Sequence, residues 1–121
     1  KIVGVSDDLQ AVVRCETDLR QQFGERVSAI RSQPYYLDVT HPNANKGAVV
    51  TRLSELLNVP TERIATIGDM PTDVSMFTRS GLGIAMGNAS PEVQRTARRI
   101  TRSNAEDGFA EAVETYILAE A

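Results

Sequence analysis

The order of apolar and polar positions predicts two regions with different architectures. The first region begins with an apolar strand, followed by a helix whose apolar residues recur at helical spacing until Gly24 ends it. Two further apolar stretches, separated by a Ser-Gln-Pro turn, predict a pair of strands. The predicted elements are a strand over 1–5, a helix over 9–23, strands over 27–31 and 35–40, and a turn at 32–34. We therefore predict a small β-α-β-β unit.

A polar, turn-rich segment at 41–45 separates this unit from the rest of the chain. Beyond it, helices and short buried strands alternate, which implies a parallel sheet with helices on its faces. Strands are predicted over 64–67, 82–85 and 99–101, and helices starting near Asn45, Pro71, Ser90 and Asn104, the last with Phe109, Ala110, Val113 and Ile117 on its packed face. We expect an α/β fold with domains over 1–42 and 43–121.

Composition narrows the range of functions. The 121 residues suffice for one ordinary domain or two small ones, and the net charge of −3 gives no support for a nucleic-acid or membrane surface. A single cysteine, Cys15, excludes an internal disulfide and fits a reducing cytoplasm. No apolar run approaches the roughly 20 residues that a membrane span needs. We expect a cytoplasmic protein with no membrane or nucleic-acid partner.

Two carboxylates follow the apolar strand that ends near Gly68. Asp69 comes directly after this glycine, and Asp73 lies about one helical turn later. Ligands bind at the carboxyl ends of strands in open α/β sheets, and converging carboxylates suit Mg²⁺. In the alternative interpretation, Asp69 starts a loop and Asp73 only favours the positive end of a helix.

A lysine lies at the predicted start of a helix, in the sequence Asn45-Lys46-Gly47. This position normally favours anions, so a cation is unexpected there. A phosphate bound nearby would explain Lys46, because helix N–H groups and an ammonium can share one anion. The alternative is an ordinary solvated surface lysine.

Four motifs in order resemble the Cof-type branch of the haloacid dehalogenase-like phosphatases. The resemblance covers essentially all of 45–121, and residues 1–40 are similar to the end of that branch's cap domain. It rests on Asn45-Lys46-Gly47, Gly68-Asp69-x-x-x-Asp73, residues 83–89, and Ser103-Asn104-x-x-Asp107-Gly108. The implied fold is the C-terminal half of a Rossmann-like parallel-sheet core, plus the end of an α/β cap.

The resemblance implies a magnesium-dependent phosphatase that acts through an aspartyl-phosphate on a sugar phosphate or another small phosphorylated metabolite. Lys46 would stabilise the phosphoryl group, Asp69 would bind Mg²⁺, and Asp73 would orient the ligand set or hold Lys46. Three further residues are candidates for substrate binding. They are His41, Asn45 and Asn88, for which the alternatives are a linker histidine, a turn or cap residue, and a turn residue.

The chain departs from the family pattern in two places. Thr72 stands where the family usually has Asn, which replaces an amide by a hydroxyl. No Asp-x-Asp pair follows an apolar strand in the matching place, and Asp7 and Asp8 are interpreted as helix-cap residues. We therefore expect that the nucleophile lies upstream and that this chain is a fragment. The strand ending at Gly68 would then be an open edge, covered by missing upstream sequence or by a dimer partner.

Two other functional classes stay open at this point. A non-catalytic regulatory or assembly domain of the same fold would also lack the nucleophile. A phosphate-binding response module with Asp69 as the acceptor is less favoured, because Lys46 precedes Asp69 and the downstream motifs have no role in that scheme. An upstream apolar strand that ends in Asp-x-Asp would decide in favour of the enzyme.

Overall fold

The computed structural model describes residues 1–119. The chain divides into two compact units, Lys1–Ala44 and Asn45–Ala121. The assignment of 1–42 to a cap and 43–121 to a core stays a prediction, and residues 120 and 121 of that second range lie outside the described part. No helix within the described part combines the length and the apolar composition that crossing a membrane requires.

The first unit is a three-stranded antiparallel sheet with one helix against it. Its elements are β1 (Ile2–Val5), α1 (Leu9–Phe23), a 3₁₀ turn (Gly24–Arg26), β2 (Ser28–Gln33) and β3 (Tyr36–Thr40). The strand order is β1-β3-β2, so β3 lies in the centre and pairs antiparallel with both neighbours. The predicted β-α-β-β order is confirmed.

Local signals explain most boundaries of this unit. Asp8 caps α1 by accepting hydrogen bonds from the N–H groups of Gln10 and Ala11, and Gly24 ends the helix with a positive φ of 53°. The core consists of Val12, Ala29 and Leu37. The predicted turn at 32–34 was placed too early: β2 continues to Gln33, and the turn lies at residues 34 and 35.

The second unit is a parallel sheet with short helices. Its elements are α2 (Lys46–Leu57), a 3₁₀ turn (Thr61–Arg63), β4 (Ala65–Gly68), a 3₁₀ turn (Pro71–Asp73), α3 (Val74–Phe77), β5 (Leu82–Ala85), α4 (Pro91–Gln94), β6 (Arg99–Ile100), a 3₁₀ turn (Asn104–Glu106), α5 (Gly108–Ala112) and a π-helical turn (Val113–Leu118). The order is β4-β5-β6, with both pairs parallel. Ile84, at the centre of β5, is fully buried. The predicted α/β class is therefore confirmed.

The C-terminal helix differs from its predicted form. Asn104 begins a separate 3₁₀ turn, and Asp107 then adopts a left-handed conformation with φ of 55°, so that α5 begins only at Gly108. The change in chain direction also changes the packed face. Phe109, predicted to pack, is 62% exposed, whereas Ala112 is fully buried.

Within the described part of the chain, strand β4 lies at one edge of the sheet. The sequence predicted an open edge at this strand, which ends at Gly68. Helix α2 of the same unit buries Gly47 and Val50 and leaves a stripe of apolar side chains exposed: Val49, Leu53, Leu56 and Leu57. What covers this edge or this stripe stays a prediction.

Candidate active site

The carboxyl end of β4 is organised by one buried carboxylate, that of Asp73, whose side chain is 4% exposed. Its Oδ2 accepts hydrogen bonds from the backbone N–H groups of Asp69 at 2.9 Å and Met70 at 3.0 Å. The 3₁₀ turn that starts at Pro71 brings Asp73 back beneath the loop after Gly68. The carboxylate therefore determines the path of the loop that carries Asp69.

Gly68 is required where β4 meets this carboxylate. A Cβ at position 68 would lie 2.5 Å from Oδ2 and 2.6 Å from Cβ of Asp73, closer than atoms in proteins pack. Because hydrogen bonds hold the Asp73 side chain on both oxygens, it cannot yield without losing them. The glycine that the motif supplies thus permits the close approach.

We expect Gly68→Ala to destabilise the protein by about 2–3 kcal/mol, as overpacking of a rigid site does. Gly4→Ala in β1 is a matched control, because its Cβ would lie 3.7 Å from the nearest side-chain atom, an ordinary contact. Urea unfolding of both variants measures the effect. Equal stability of the two variants would show that the Asp73 side chain can move aside.

Lys46 is placed by the first turn of α2. Asn45 is the N-cap, and its Oδ1 accepts a hydrogen bond of 2.9 Å from the N–H of Ala48. The N–H of Gly47 donates to Oγ of Ser75 at 3.1 Å, and a Cβ on Gly47 would lie 2.4 Å from the Ser75 carbonyl oxygen. This close packing on the segment after Asp73 brings the start of α2 to the site.

The ammonium of Lys46 donates to Oδ1 of Asp73, across 27 positions of sequence. The lysine side chain remains 56% exposed, whereas the carboxylate is almost fully buried. A buried anion thus fixes the position of an accessible cation at a helix start. This arrangement can hold an anionic ligand at the ammonium itself, because the N–H groups of Gly47 and Ala48 already donate to Ser75 and Asn45.

The pKa of Asp73 lies below its ordinary value of 3.8. Burial raises the pKa, but the hydrogen bond from Lys46 and those from the N–H groups of Met70 and Asp69 together lower it by more. The carboxylate is therefore ionised at neutral pH and keeps its charge well into the acidic range.

This lowered pKa predicts a pH dependence of stability. The unfolded chain binds the Asp73 proton more tightly than the folded protein, so the contribution is fully present above about pH 5 and is lost as the pH falls through 3.8 towards the folded-state pKa. The difference in unfolding free energy between wild type and Asp73→Asn should stay constant from about pH 7 to about pH 5 and shrink at lower pH. A difference that grows on acidification would contradict the ion pair.

Asp69 and Asn88 meet between the ends of β4 and β5. The Nδ2 of Asn88 donates to Oδ2 of Asp69 at 2.9 Å, and Oδ1 of Asn88 accepts from the backbone N–H of Asn104 at 2.9 Å. No residue between 1 and 119 donates a hydrogen bond to Oδ1 of Asp69. That oxygen is the one available for a ligand.

The donors fit one side of a magnesium site. Mg²⁺ commonly takes one or two protein carboxylates and completes its shell with water and substrate phosphate oxygens. Asp69 supplies such an oxygen, whereas both oxygens of Asp73 already accept hydrogen bonds. The described residues contain no group of three or more His, Cys, Asp or Glu side chains that could hold a metal. The geometry therefore favours Asp69 as a ligand and Asp73 as the group that holds Lys46.

The other predicted residues lie in different surroundings. Asn45 caps α2, and the hydroxyl of Thr72 forms no hydrogen bond to any of residues 1–119. His41 belongs to the first unit, where its Nδ1 accepts the N–H of Asn43 at 3.1 Å.

Sequence reasoning missed Ser75, whose hydroxyl accepts the Gly47 N–H at the start of α2. A serine two residues after Asp73 is too common a feature to predict this contact. The predicted roles in substrate binding stay predictions.

A family model described as haloacid dehalogenase-like hydrolase matches residues 1–113. The chain belongs to this family. It is 35% identical over 114 residues to YxeH of Bacillus subtilis, covering 94% of this chain and 42% of that protein. A solved haloacid dehalogenase-like hydrolase from Bacteroides thetaiotaomicron superposes with a TM-score of 0.79 at 34% identity, covering 93% of this chain and 42% of that one. These matches confirm the resemblance that the four motifs predict.

A second relative carries a specific name. The 5-amino-6-(5-phospho-D-ribitylamino)uracil phosphatase YcsE of Bacillus subtilis is 38% identical over 87 residues, covering 72% of this chain and 35% of that protein. The chain thus spans between about a third and about two fifths of the length of these curated relatives. Family membership accounts for the four motifs and for the parallel sheet, whose strands β4 and β5 contain the first residues of two of them.

Proposed function

We propose that the full-length protein is a magnesium-dependent phosphatase that hydrolyses a phosphate monoester of a sugar or another small metabolite. The observation that carries this proposal is the accessible Lys46 ammonium, held by the buried Asp73 carboxylate beside the loop of Asp69. A fixed cation at a helix N-terminus suits a phosphoryl group, whose charge shifts during transfer. The named phosphatase among the relatives supports the same reaction class.

In the proposed reaction, a carboxylate oxygen of an aspartate bonds to phosphorus as the phosphorus–oxygen bond to the substrate breaks, and the second carboxyl group of the family's aspartate pair gives its proton to the leaving oxygen, so that an alcohol departs. Water then releases phosphate from the aspartyl-phosphate. The family resemblance assigns the attacking aspartate to sequence that precedes the cap. Within this chain, Lys46 binds the phosphoryl oxygens and Asp73 holds that ammonium in place. Asp69 would hold Mg²⁺, which supplies further neutralisation of phosphoryl charge when bound.

The test is release of inorganic phosphate by the full-length protein from a panel of sugar phosphates, polyol phosphates and p-nitrophenyl phosphate. YcsE is named for a phosphorylated ribityl compound, so ribitol 5-phosphate belongs in the panel. We expect turnover that disappears with EDTA and returns with Mg²⁺. Turnover that persists in EDTA would contradict the metal dependence.

The alternative is a non-catalytic regulatory or assembly domain of the same fold. The same panel separates the two functions. A folded full-length protein that binds phosphorylated compounds, but releases phosphate from none of them at any Mg²⁺ concentration, would favour the alternative.

A further inference from the structure

We propose that Asn88 positions the Asp69 carboxylate for the divalent cation and does not contact the substrate. The inference deepens the proposed phosphatase function and rests on it. It replaces the predicted role of Asn88 in substrate binding with a role inside the metal site.

Both ends of the Asn88 amide are occupied. Its oxygen accepts the backbone N–H of Asn104, and its NH₂ group donates to Oδ2 of Asp69, each at 2.9 Å. A rotated amide would place its oxygen against the carboxylate and its NH₂ group against an N–H, and so lose both hydrogen bonds. The N–H of Asn104 therefore determines which end of the amide faces Asp69.

The backbone around Asn88 is held as firmly as its side chain. The N–H of Gly87 donates to the carbonyl of Arg102 at 3.0 Å, and a Cβ on Gly87 would lie 2.8 Å from the backbone nitrogen of Ser103. Ser103 in turn caps the following 3₁₀ turn, and Glu106 accepts its N–H and its hydroxyl. The loop after β5 thus lies directly against a capped turn, which presents the Asn104 N–H.

The hydrogen bond from Asn88 to Asp69 leaves one oxygen of the Asp69 carboxylate for a ligand. Asn88 engages Oδ2 of Asp69, whereas Oδ1 has no hydrogen-bond donor within the described part of the chain. Because Oδ2 is held, rotation about the last side-chain bond is restricted and Oδ1 keeps one direction. Residues that orient a metal ligand in this way typically change metal affinity about 10- to 100-fold when they are removed.

The first measurement is binding of Mn²⁺ and Mg²⁺ to the full-length protein without substrate, by electron paramagnetic resonance and calorimetry. We expect Asn88→Ala to weaken binding about tenfold, the lower end for an orienting residue. Urea unfolding of the same variant separates this loss from a change in stability. Substrate KM, measured at saturating Mg²⁺, should stay close to that of wild type.

A second pair of variants acts on Asn88 from a distance. Asn104 is the first residue of its 3₁₀ turn, a position that accepts proline, and Ser103 before it already has the extended conformation that proline favours, with φ −67° and ψ 164°. Asn104→Pro removes two groups: the N–H that orients the Asn88 amide, and the Asn104 side chain. Asn104→Ala removes the same side chain and keeps the N–H. We expect metal affinity about twofold weaker in the proline variant, since half of the amide orientations are then unproductive, and unchanged in the alanine variant.

Two results would overturn the inference while leaving the phosphatase proposal intact. One is wild-type metal affinity in both Asn88→Ala and Asn104→Pro. The other is a raised substrate KM in Asn88→Ala with unchanged metal affinity, which would make Asn88 a substrate contact. A wild-type protein that binds neither cation would overturn the metal-dependent function itself, so the two failures are distinguishable.

Discussion

Lys46→Met is expected to lower the kcat/KM of the full-length protein about 100- to 1000-fold, the range seen when one charge-stabilising donor is removed from an active site. The loss is expected because the buried Asp73 carboxylate holds the Lys46 ammonium at the start of α2, beside the loop that carries Asp69. Steady-state kinetics at saturating Mg²⁺ measure the loss.

The stability of the same variant should fall much less. A buried ion pair broken on one side costs about 3–5 kcal/mol, but Lys46 is more than half exposed and Asp73 keeps two N–H donors, so we expect about 1–2 kcal/mol. Lys1→Met is the matched control, since Lys1 pairs with Asp38 at 3.0 Å and is 55% exposed. The control should leave kcat/KM unchanged. An equal activity loss in both variants would remove the special role of Lys46.

Asp73→Ala is expected to lower both stability and turnover. It removes the partner of Lys46 and leaves the N–H groups of Asp69 and Met70 without their acceptor. We expect a loss of about 2–3 kcal/mol in unfolding free energy, the cost of unsatisfied groups that are partly hydrated. Turnover should fall about 100-fold, because a displaced ammonium and a displaced loop misplace the reacting groups. Urea unfolding and kcat measure the two effects separately.

Asp73→Asn separates the two roles of this carboxylate. The amide oxygen can still accept the N–H groups of the loop, so about half of the lost stability should return. The amide cannot balance the charge of Lys46, so turnover should stay low. Full recovery of turnover in Asp73→Asn would show that loop geometry alone matters. Wild-type stability in Asp73→Ala would show that the buried carboxylate contributes nothing net.

The chemistry of the site was largely predictable, because the motif residues carry it in their side chains. The sequence places Asp69 after an apolar strand and Lys46 at a helix start, and the structure has both in these places. The sequence did not predict which carboxylate holds Lys46 and which keeps an oxygen available for a ligand. Asp69 and Asp73 differ in burial and in donors, and these differences arise only when the turn at Pro71 folds back under β4.

Local signals in the sequence determined the element order. Asp8, Asn45 and Ser90 each cap a helix through their own side chain, and each bond reaches only two or three residues ahead. Apolar runs likewise determined the three parallel strands to within about one residue, a normal uncertainty for element boundaries. The last helix was misplaced because Asp tolerates the left-handed backbone found at Asp107 but does not require it, so the residue type is only a weak local signal.

The tertiary structure decided which distant groups meet. Lys46 pairs with Asp73 across 27 positions, and Asn88 joins Asp69 to the Asn104 N–H across 19 and 16 positions. No local preference specifies such contacts, because each depends on strand register and on how α2 packs against the segment after β4. The sequence by itself therefore determined the elements, the family and the reactive side chains, whereas the tertiary structure decided which oxygen of Asp69 stays available and which side chain holds it.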